Sequence, residues 1–493
     1  MAAAVTENTT VSADQSACVN KRKYAQFFTP GVVTEFMSAL FDVQSGRTAT
    51  VLDPGAGEGA LGLALCKRFA AQGITVLPTF IEIDKPVFEA LSYRVGQQLA
   101  NNAATLANEN FIRAGFRLLQ DGRRFSHVIM NPPYFKMRRD SRDSEFLLSR
   151  GINVTNIYSA FMWLGLLLLE DNGQLVAIVP RSFCNGPYFL RFREFVAANA
   201  SIETIHTFGS RDKVFSKDSV LQENIIIRFS KKPQSGQVRI SYSSDQSFTD
   251  VEKTTFAASK VFSHDDPGLT IHIPQRGTTT QLEKFTPCSL PDIGLEVSTG
   301  PIVGFRAREA ISNHSSEGSV PLLYPAHMKD GRIIWPVDNL PKKGQYYRPE
   351  ENLWGCGKSS LMGDKNVSPA DGCYVIIRRF SSKEERRRIF AAVVDPAEYC
   401  ADGVAFENHL NYFHVKKRGF DKELAFGLSA YLNSVVLDEH FRSFSGHTQV
   451  NATDLRNIPY PSKKQLRAIG EIASHNGTPI EKLVTEDLLR SIA

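Results

Sequence analysis

An apolar strand that runs into a glycine-rich turn constrains the fold of this chain more than any other segment. Residues 50–53 read Thr-Val-Leu-Asp, and Gly55, Gly57 and Gly59 follow at alternate positions. Residues 60–69 then carry apolar side chains at helical spacing. Glycine lets the N–H groups of such a turn, and the start of the helix behind it, approach a ligand closely. The segment therefore predicts an α/β fold with a ligand site at the end of this strand.

The next strand ends in carboxylates about one β-α-β unit further along. Residues 79–84 read Thr-Phe-Ile-Glu-Ile-Asp, so Glu82 and Asp84 lie where that strand would end. A carboxylate there can accept hydrogen bonds from both hydroxyls of a ribose, and we assign that role to Glu82. Asp84 could equally cap the helix that begins near Pro86. A solvated acidic turn is the alternative for this segment.

A second unusual turn, Asn131-Pro132-Pro133-Tyr134, follows the apolar run of residues 127–130. Asn-Pro is a common turn dipeptide, so the tetrapeptide alone would mean little. Its place after a strand that looks buried favours a functional turn. There the Asn131 side-chain oxygen and the Pro132 carbonyl could each accept one hydrogen of an amino group. Tyr134 would offer an aromatic face to a planar base.

A threonine and a proline mark the start of a helix before the glycine turn. Thr29 and Pro30 precede a run with apolar residues on one side, from Val32 to Leu40. Threonine is a natural N-cap, and proline is a natural first helical residue. The sequence therefore predicts that Thr29 caps this helix. The same hydroxyl could also face a ligand.

The order of these motifs resembles that of the gamma-class DNA adenine-N6 methyltransferases, which carry a Thr-Pro element, a glycine turn, an acidic ribose site and an Asn-Pro-Pro-Tyr turn. Four later segments are similar to the BsuBI/PstI-type enzymes of this class: residues 297–306, 374–380, 407–412 and 445–455. The resemblance extends from about residue 20 to about residue 465. It implies a Rossmann-like α/β domain that binds S-adenosyl-L-methionine (AdoMet), followed by a mixed α/β target-recognition domain.

The resemblance also implies roles for individual residues. In such enzymes the Asn-Pro-Pro-Tyr turn holds the amino group of a flipped adenine, and a later aromatic residue packs on the second face of the base. The catalytic residues implied here are Asn131, Pro132, Tyr134 and Phe215, with core packing as the alternative for Phe215. The cofactor-binding residues implied are Phe28, Thr29, Asp53, Gly55, Gly57, Glu82 and Asn131.

One position departs from the family pattern. The family usually places an acidic residue against the adenine ring of AdoMet, whereas this chain reads Ile112-Arg-Ala-Gly115-Phe116 there. We expect Gly115 to occupy the acidic position, and we assign no side chain to the adenine. Backbone groups around Phe116 could hold it instead.

The C-terminal segments carry side chains suited to DNA. Arginine, histidine and amide side chains read base edges and hold phosphates. Arg378 and Arg379 end an apolar strand, and His447, Gln449 and Asn451 alternate, so a strand would present these three on one side. We predict DNA contacts at all five residues. The last three could instead cap and order a turn.

Composition limits the kind of surface that could bind DNA. The chain has 493 residues, 57 Lys and Arg against 52 Asp and Glu, and a formal charge of +5. That balance is mild for a nucleic-acid-binding protein, so any basic surface should be a local cleft. Seven cysteines without a Cys-x-x-Cys pair indicate a reducing compartment and no metal site. We find no signal core in residues 1–20 and no membrane span, and expect a cytoplasmic protein.

The domain plan follows from these segments. Residues 1–20 should be a flexible tail, and residues 21–235 should be the AdoMet-binding catalytic domain. Residues 236–285 form a connecting region whose role we leave unassigned. Residues 286–493 form the DNA target-recognition domain.

The resulting hypothesis is a site-specific DNA adenine methyltransferase, the modification half of a restriction–modification system. It would act as a monomer on double-stranded DNA, in a cleft between its domains, with a cognate endonuclease encoded nearby. The resemblance suggests a short palindromic target, and CTGCAG is the candidate. Two alternatives remain open: a methyltransferase that acts on RNA or on protein glutamine with the same turn, and a non-catalytic DNA reader.

Overall fold

In a computed structural model, the chain forms two compact units, residues 1–273 and residues 274–493. The structure describes residues 29–43, 48–99, 104–209, 223–234, 236–274, 282–329, 331–338, 340, 344–349, 367–382, 385–399, 402–445, 448–475 and 483–492.

Within the described residues, unit 1 contains one sheet of nine strands: β1 (Ala49–Pro54), β2 (Val76–Glu82), β3 (Thr105–Asn108), β4 (Phe125–Met130), β5 (Leu169–Pro180), β6 (Ser201–Phe208), β7 (Asn224–Ser230), β8 (Gln237–Ser243) and β9 (Glu252–Ala257). Their order is β3-β2-β1-β4-β5-β7-β6-β8-β9. The strands from β3 to β5 are parallel, and β7 is antiparallel to both β5 and β6. The strand order changes direction between β1 and β4, which is where such sheets bind ligands. The predicted Rossmann-like α/β fold is confirmed.

The helices of unit 1 are α1 (Gly31–Ala39), α2 (Ala60–Ala70), α3 (Lys85–Gln98), α4 (Phe111–Gln120), α5 (Arg142–Leu148), α6 (Ile157–Leu167), α7 (Leu190–Asn199) and α8 (Ala258–Val261). The start of α1 differs from the prediction by one residue. Pro30, not Thr29, is the N-cap, because a ψ of 148° keeps Pro30 extended while its carbonyl accepts the Thr34 N–H at 3.0 Å. The capping role predicted for Thr29 is therefore wrong, and its hydroxyl has a different partner.

The central strand β5 is apolar on both faces, because successive side chains enter different cores. Leu175, Ala177 and Val179 join the cluster that includes α4 and α6. Val176 and Ile178 join the cluster that includes α1 and α2. All five side chains are fully buried. Strands covered on both faces read as continuous hydrophobic runs, which is why β5 is easily recognised in the sequence.

The sheet of unit 1 continues into the region that the sequence left unassigned. β8 is parallel to β6, and β9 is antiparallel to β8. Residues 236–273 thus lie in unit 1, and residues 274–285 lie in unit 2. The edge strand β9 is mostly exposed and lacks apolar alternation, so its sequence gives little sign of a strand.

The strands of unit 2 are β10 (Glu296–Thr299), β11 (Ile311–Ser312), β12 (Val320–Leu323), β13 (Met328–Lys329), β14 (Arg332–Ile333), β15 (Tyr346–Tyr347), β16 (Val367–Pro369), β17 (Tyr374–Arg378), β18 (Ala391–Val394), β19 (Gly403–Phe406) and β20 (Leu410–His414). An antiparallel sheet has the order β10-β20-β17-β18, and a mixed sheet has the order β11-β15-β12-β19-β16. The helices are α9 (Leu282–Phe285), α10 (Lys422–Leu432), α11 (Val435–Phe444), α12 (Ala452–Arg456), α13 (Lys463–His475) and α14 (Glu486–Ser491). This is the mixed α/β character predicted for the second domain. In the described ranges of both units, every helix is too short or too polar to span a lipid bilayer.

Two glycines allow α10 and α13 to pack backbone against backbone. A Cβ on Gly427 would overlap the Leu466 carbonyl oxygen, and a Cβ on Gly470 would overlap the Glu423 carbonyl oxygen. Neither obstacle is a flexible side chain. The crossing of these helices therefore requires glycine at both positions.

Candidate active site

The glycine turn after β1 adopts a conformation that glycine takes more readily than other residues. Gly55 and Gly57 have φ values of 68° and 57°, in the left-handed region. The N–H groups of Gly55 and Ala56 donate to the Ile81 carbonyl oxygen at 2.8 and 3.0 Å, which ties the turn to β2. Since α2 begins at Ala60, the turn and the helix start form one fixed backbone surface.

Asp53, at the end of β1, supports this turn from its buried side. Its side chain is buried, and Oδ2 accepts the N–H of Gly62 in the first turn of α2 at 2.8 Å. Burial raises the pKa of Asp53 to about 7; the Gly62 hydrogen bond opposes this shift, and the nearby Glu82 carboxylate reinforces it. The observed contact is with α2. A direct contact of Asp53 with the cofactor stays a prediction.

Glu82 joins the end of β2 to the same turn. One carboxylate oxygen accepts the Gly57 N–H, and the other accepts the Asp84 N–H, both at 2.8 Å. Desolvation by burial raises the pKa of Glu82, against the hydrogen bonds from Asp84 and Gly57. A carboxylate oxygen has more than one acceptor site, so these bonds are compatible with a ribose hydroxyl as an additional donor. The ribose role stays a prediction, with the carboxylate fixed beside the turn.

Asn131, directly after β4, has its side-chain amide oriented from two sides. Its Nδ2 donates to the Thr29 hydroxyl at 3.0 Å. The Tyr134 hydroxyl can donate to Oδ1 of Asn131 at 2.6 Å or to the Ile178 carbonyl oxygen at 2.9 Å. Burial raises the pKa of Tyr134, so this hydroxyl stays protonated. A carbonyl oxygen has two lone pairs, so the Tyr134 contact is compatible with an amino group as a second donor.

The other two residues of the predicted catalytic turn are partly or wholly buried. Pro132 is buried, and Tyr134 is half-buried. The Tyr134 ring stands edge-on to the Tyr158 ring, with the centroids 6.4 Å apart. Stacking of a base on Tyr134 stays a prediction, whereas the contact of its hydroxyl with the Asn131 side chain is observed.

A cavity of about 740 Å³ brings four of the predicted cofactor residues together, whereas Asp53 and Glu82 lie outside its lining. Its lining includes Thr29, Gly55, Gly57 and Asn131, together with residues of α1, α2 and α3. Pockets that hold ligands of cofactor size have volumes of roughly 300–1,000 Å³. The Thr29 hydroxyl, the Asn131 amide and charged side chains such as Glu58 and Arg94 are a donor and acceptor set that fits a nucleoside with an amino-acid tail. Phe28 and Phe215, predicted for cofactor and base, lie outside the described residues.

The structure corrects the position assigned to Gly115. β3 ends at Asn108, whereas Gly115 lies in the second turn of α4, packed against Phe111 and Leu164. The end of β3 instead carries residues 108–110, Asn-Glu-Asn, and Asn110 caps α4 by accepting the Ile112 N–H at 2.8 Å. The error arose because the apolar residues 111 and 112 are the buried start of a helix, not the end of a strand.

The two arginines predicted to contact DNA make contacts within unit 2. The Arg378 guanidinium pairs with Glu385 at 2.5 Å and lies over the Phe390 ring, 4.3 Å from its centroid. Arg379 is half-buried, and its Nη1 donates to the Asn408 carbonyl oxygen at 3.2 Å. Contacts of these side chains with DNA stay predictions.

The polar residues after α11 occupy different environments. Asn451 is the N-cap of α12, and its backbone N–H donates to the Asp454 carboxylate at 3.0 Å. It therefore caps and orders a turn, which was the alternative predicted from the sequence. Gln449 is half-buried and forms an isolated β-bridge with Phe380. His447 lies outside the described residues. DNA contacts by these three residues stay predictions.

His409 is a candidate that the sequence interpretation did not select. Its side chain is 47% exposed, and Nδ1 lies 2.6 Å from the carboxylate of the buried Glu407, which also accepts the His409 backbone N–H at 2.9 Å. The exposed Phe380 ring lies beside it, with the centroids 5.3 Å apart. A carboxylate that orients one ring nitrogen gives the other a defined hydrogen-bonding role. In the sequence, the spacing Glu407-x-His409 was the pattern that could have identified this residue.

Comparison with known proteins extends over both units. The Eco57I restriction-modification methylase family matches residues 69–215. The chain is 39% identical over 470 residues to the type II methyltransferase M.BsuBI of Bacillus subtilis, covering 93% of this chain and 91% of that protein. It is 35% identical over 487 residues to the type II methyltransferase M.PstI of Providencia stuartii, covering 95% and 93%. A solved structure, that of the type IIG restriction endonuclease BpuSI, is similar with a TM-score of 0.48 and 15% identity, over 93% of this chain and 63% of that one.

Proposed function

The chain belongs to the family of type II methyltransferases that includes M.BsuBI and M.PstI, and we propose that it methylates N6 of an adenine within one short DNA sequence. The family predicted from the motifs is confirmed by the extent of this similarity. Membership makes the chain an AdoMet-dependent DNA methyltransferase of the restriction–modification type. The target atom, the target sequence and the roles of individual residues form the proposal.

The contacts of Asn131 are the main observation that supports an amino group as the target of methylation. Oδ1 of Asn131 and the carbonyl oxygen of Pro132 would accept the two hydrogens of the adenine amine, drawing the lone pair of its nitrogen out of conjugation with the ring. Thr29 and Tyr134 support this role because they hold the amide from both ends. AdoMet, when bound, supplies a methyl group already activated by a positively charged sulfur. The chain therefore contributes mainly position and orientation, and needs no strong base at the amine.

The cavity beside the glycine turn would hold the cofactor. Gly55 and Gly57 would present backbone groups to it, Glu82 would accept the ribose hydroxyls and Thr29 would face its carboxylate. Asp53 would act from behind, through its bond to the start of α2. The volume and polar lining of the cavity support this assignment.

Unit 2 would read the DNA sequence. The exposed or half-exposed side chains of Phe380, His409 and Gln449 suit this role, since an imidazole and an amide are groups that distinguish base edges. Arg379 and His447 remain proposed contacts. Arg378 and Asn451 remain proposed contacts as well, and their side chains are also engaged within unit 2.

Single-molecule sequencing of DNA from a methylation-deficient bacterial host that expresses the protein tests the proposed reaction. We expect N6-methyladenine at every copy of one short motif, with CTGCAG as the candidate. Asn131→Ala should abolish the modification while AdoMet affinity stays near normal. Asn199→Ala, a matched change at an exposed asparagine at the end of α7, should have no effect. Unmodified DNA with folded wild-type protein would refute the proposal and favour an RNA or protein substrate.

We also propose that one copy of the chain methylates one strand of duplex DNA per visit, in the cytoplasm, and that an endonuclease of the same specificity accompanies it. Light scattering of the protein with and without a duplex carrying the target would test the monomer. A 1:1 mass with duplex is expected, and a 2:1 mass would contradict it.

A further inference from the structure

We propose that residues 135–139, which follow the catalytic turn, form a surface that binds the DNA duplex next to the flipped adenine. Phe135 would stack on the bases beside the vacated position, and Lys136 and Arg139 would contact phosphates. The proposal rests on the proposed function, because it places DNA at Asn131.

The backbone of residues 135–137 is held by the strand-like segment before α6, and residues 138 and 139 follow directly. The Met137 N–H donates to the Thr155 carbonyl oxygen at 2.9 Å, and the Ile157 N–H donates to the Phe135 carbonyl oxygen at 3.1 Å. Lys136 lies opposite Asn156 in an antiparallel bridge. The Met137 side chain is buried in the main core of unit 1 and anchors the segment. The side chains around Met137 are therefore displayed from a fixed support.

The outward side chains combine an aromatic ring with unpaired positive charge. Phe135 is 43% exposed, and Lys136 and Arg139 are exposed. Arg138 forms an ion pair with Asp140 at 2.9 Å. Among the described residues, no carboxylate lies within ion-pair distance of Lys136 or Arg139. A basic, aromatic surface of this kind fits a strand of nucleic acid, whose phosphates and bases match the two types of side chain.

The position of the segment links it to the substrate. Phe135 is four residues from Asn131, and an extended chain advances at most about 3.6 Å per residue, so their Cα atoms lie within about 15 Å. A flipped base remains bonded to its own backbone, so the flanking phosphates must come close to whatever holds the base. Phe135 and the adjoining Lys136 are thus within reach of the duplex whenever an adenine occupies the turn, and Arg139 follows on the same exposed segment.

An isolated exposed phenylalanine and a few exposed cations are common on protein surfaces. Cations that are merely solvated and cations that contact phosphates differ in how they affect the salt dependence of DNA binding. Each phosphate contact contributes about 0.9 to the slope of log affinity against log salt concentration. Removing two such contacts should reduce the slope by about 1.8, whereas removing two solvated charges should change it little.

The test compares two double variants in DNA-binding titrations over a range of salt concentrations. Lys136→Ala with Arg139→Ala should show the smaller slope and weaker binding at low salt, with AdoMet affinity unchanged. Arg123→Ala with Arg124→Ala removes the same charge at the opposite end of β4, from two exposed arginines, and should keep the wild-type slope. Equal slopes in both double variants would overturn the phosphate role.

The aromatic role is tested with 2-aminopurine at the target adenine, whose fluorescence rises when the base leaves the stack. Phe135→Ala should lower the flipped fraction and the single-turnover rate by roughly 5-fold or more, as loss of one stacking contact would. Phe135→Trp should restore both. Tyr93→Ala removes an exposed ring from α3 and should change neither. Wild-type flipping by Phe135→Ala would overturn the assignment.

These outcomes are separable from failure of the proposed function. If the wild-type protein does not methylate DNA, the proposed function fails and the inference fails with it. If the wild-type protein methylates one motif while both sets of variants behave as wild type, only the surface of residues 135–139 is refuted.

Discussion

Replacing Thr29 by valine should slow methyl transfer without removing any atom that touches the substrate adenine in our proposal. The Thr29 hydroxyl accepts the Nδ2 hydrogen of Asn131 at 3.0 Å, while Tyr134 holds the other end of the amide. A hydrogen bond of this kind contributes about 0.5–1.5 kcal/mol net. If the whole loss falls on the orientation of Asn131 in the transition state, the rate constant should fall roughly 2- to 13-fold, at about 1.36 kcal/mol per factor of ten.

Single-turnover kinetics at saturating AdoMet measure this effect. Saturation is required because Thr29 also lines the cavity, and a change in cofactor affinity would otherwise add to the rate change. Thr29→Ser keeps the hydroxyl and should retain most of the rate, whereas Thr29→Val should not. A valine variant as fast as the wild type would refute the positioning role. Equal losses in both variants would show that the hydroxyl is not specifically responsible for the effect.

Three further predictions concern stability and specificity. Burial raises the pKa of Asp53 to about 7, so its contribution to stability is fully present below the ordinary pKa of an aspartate and is lost as pH rises to about 7. The free energy of unfolding of Asp53→Asn, measured by urea titration, should therefore rise relative to that of the wild type from about pH 4 to about pH 7; a constant difference would contradict this. Gly427→Ala should lower the free energy of unfolding by about 1–3 kcal/mol or more, whereas Gly304→Ala, whose Cβ meets nothing within 4 Å, should not. His409→Ala should relax discrimination at one base by about 1–3 kcal/mol in methylation assays on singly substituted duplexes, and the exposed His314→Ala should not.

The residues around the site could be predicted because each is marked by a local sequence motif. The topology of a parallel sheet then brings these motifs to the same edge. Gly57, Glu82 and Asn131 each follow or end a strand with a clear apolar run. Parallel strands end at the same edge, so these residues had to meet once the fold class was known. The bond between Glu82 and the Gly57 N–H is the direct result.

Contacts between distant segments could not be predicted in this way. The partner of the Thr29 hydroxyl is 102 positions away along the chain, and a threonine before a proline reads more naturally as a helix cap. The pairing of Arg378 with Glu385 was not predicted, because Glu385 lies in a run of mixed charges, and such runs usually face solvent. Gly115 was misplaced because an apolar pair at a helix start resembles a strand end. For Thr29 tertiary packing, not local propensity, decided the outcome, whereas for Gly115 the missed signal was local, the Asn110 cap of α4.

The composition of β5 does not determine the register in which this strand pairs with its neighbours. A shift by one residue would exchange two apolar sets of side chains between two apolar cores, so hydrophobicity opposes such a slip only weakly. β4 has the same property, with Val128 and Ile129 in different cores. Backbone pairing with both neighbours therefore holds the alignment: one ladder joins β5 to β4 from Gln174–His127 to Ala177–Met130, and a longer one joins it to β7 from Gln174–Ser230 to Pro180–Asn224. During synthesis, a nascent chain that ends before β7 lacks the longer ladder, although β4, which leads into the catalytic turn, can already pair with β1 and β5. β7 thus holds the alignment of β5, the neighbour of β4, without contributing a residue to the catalytic turn.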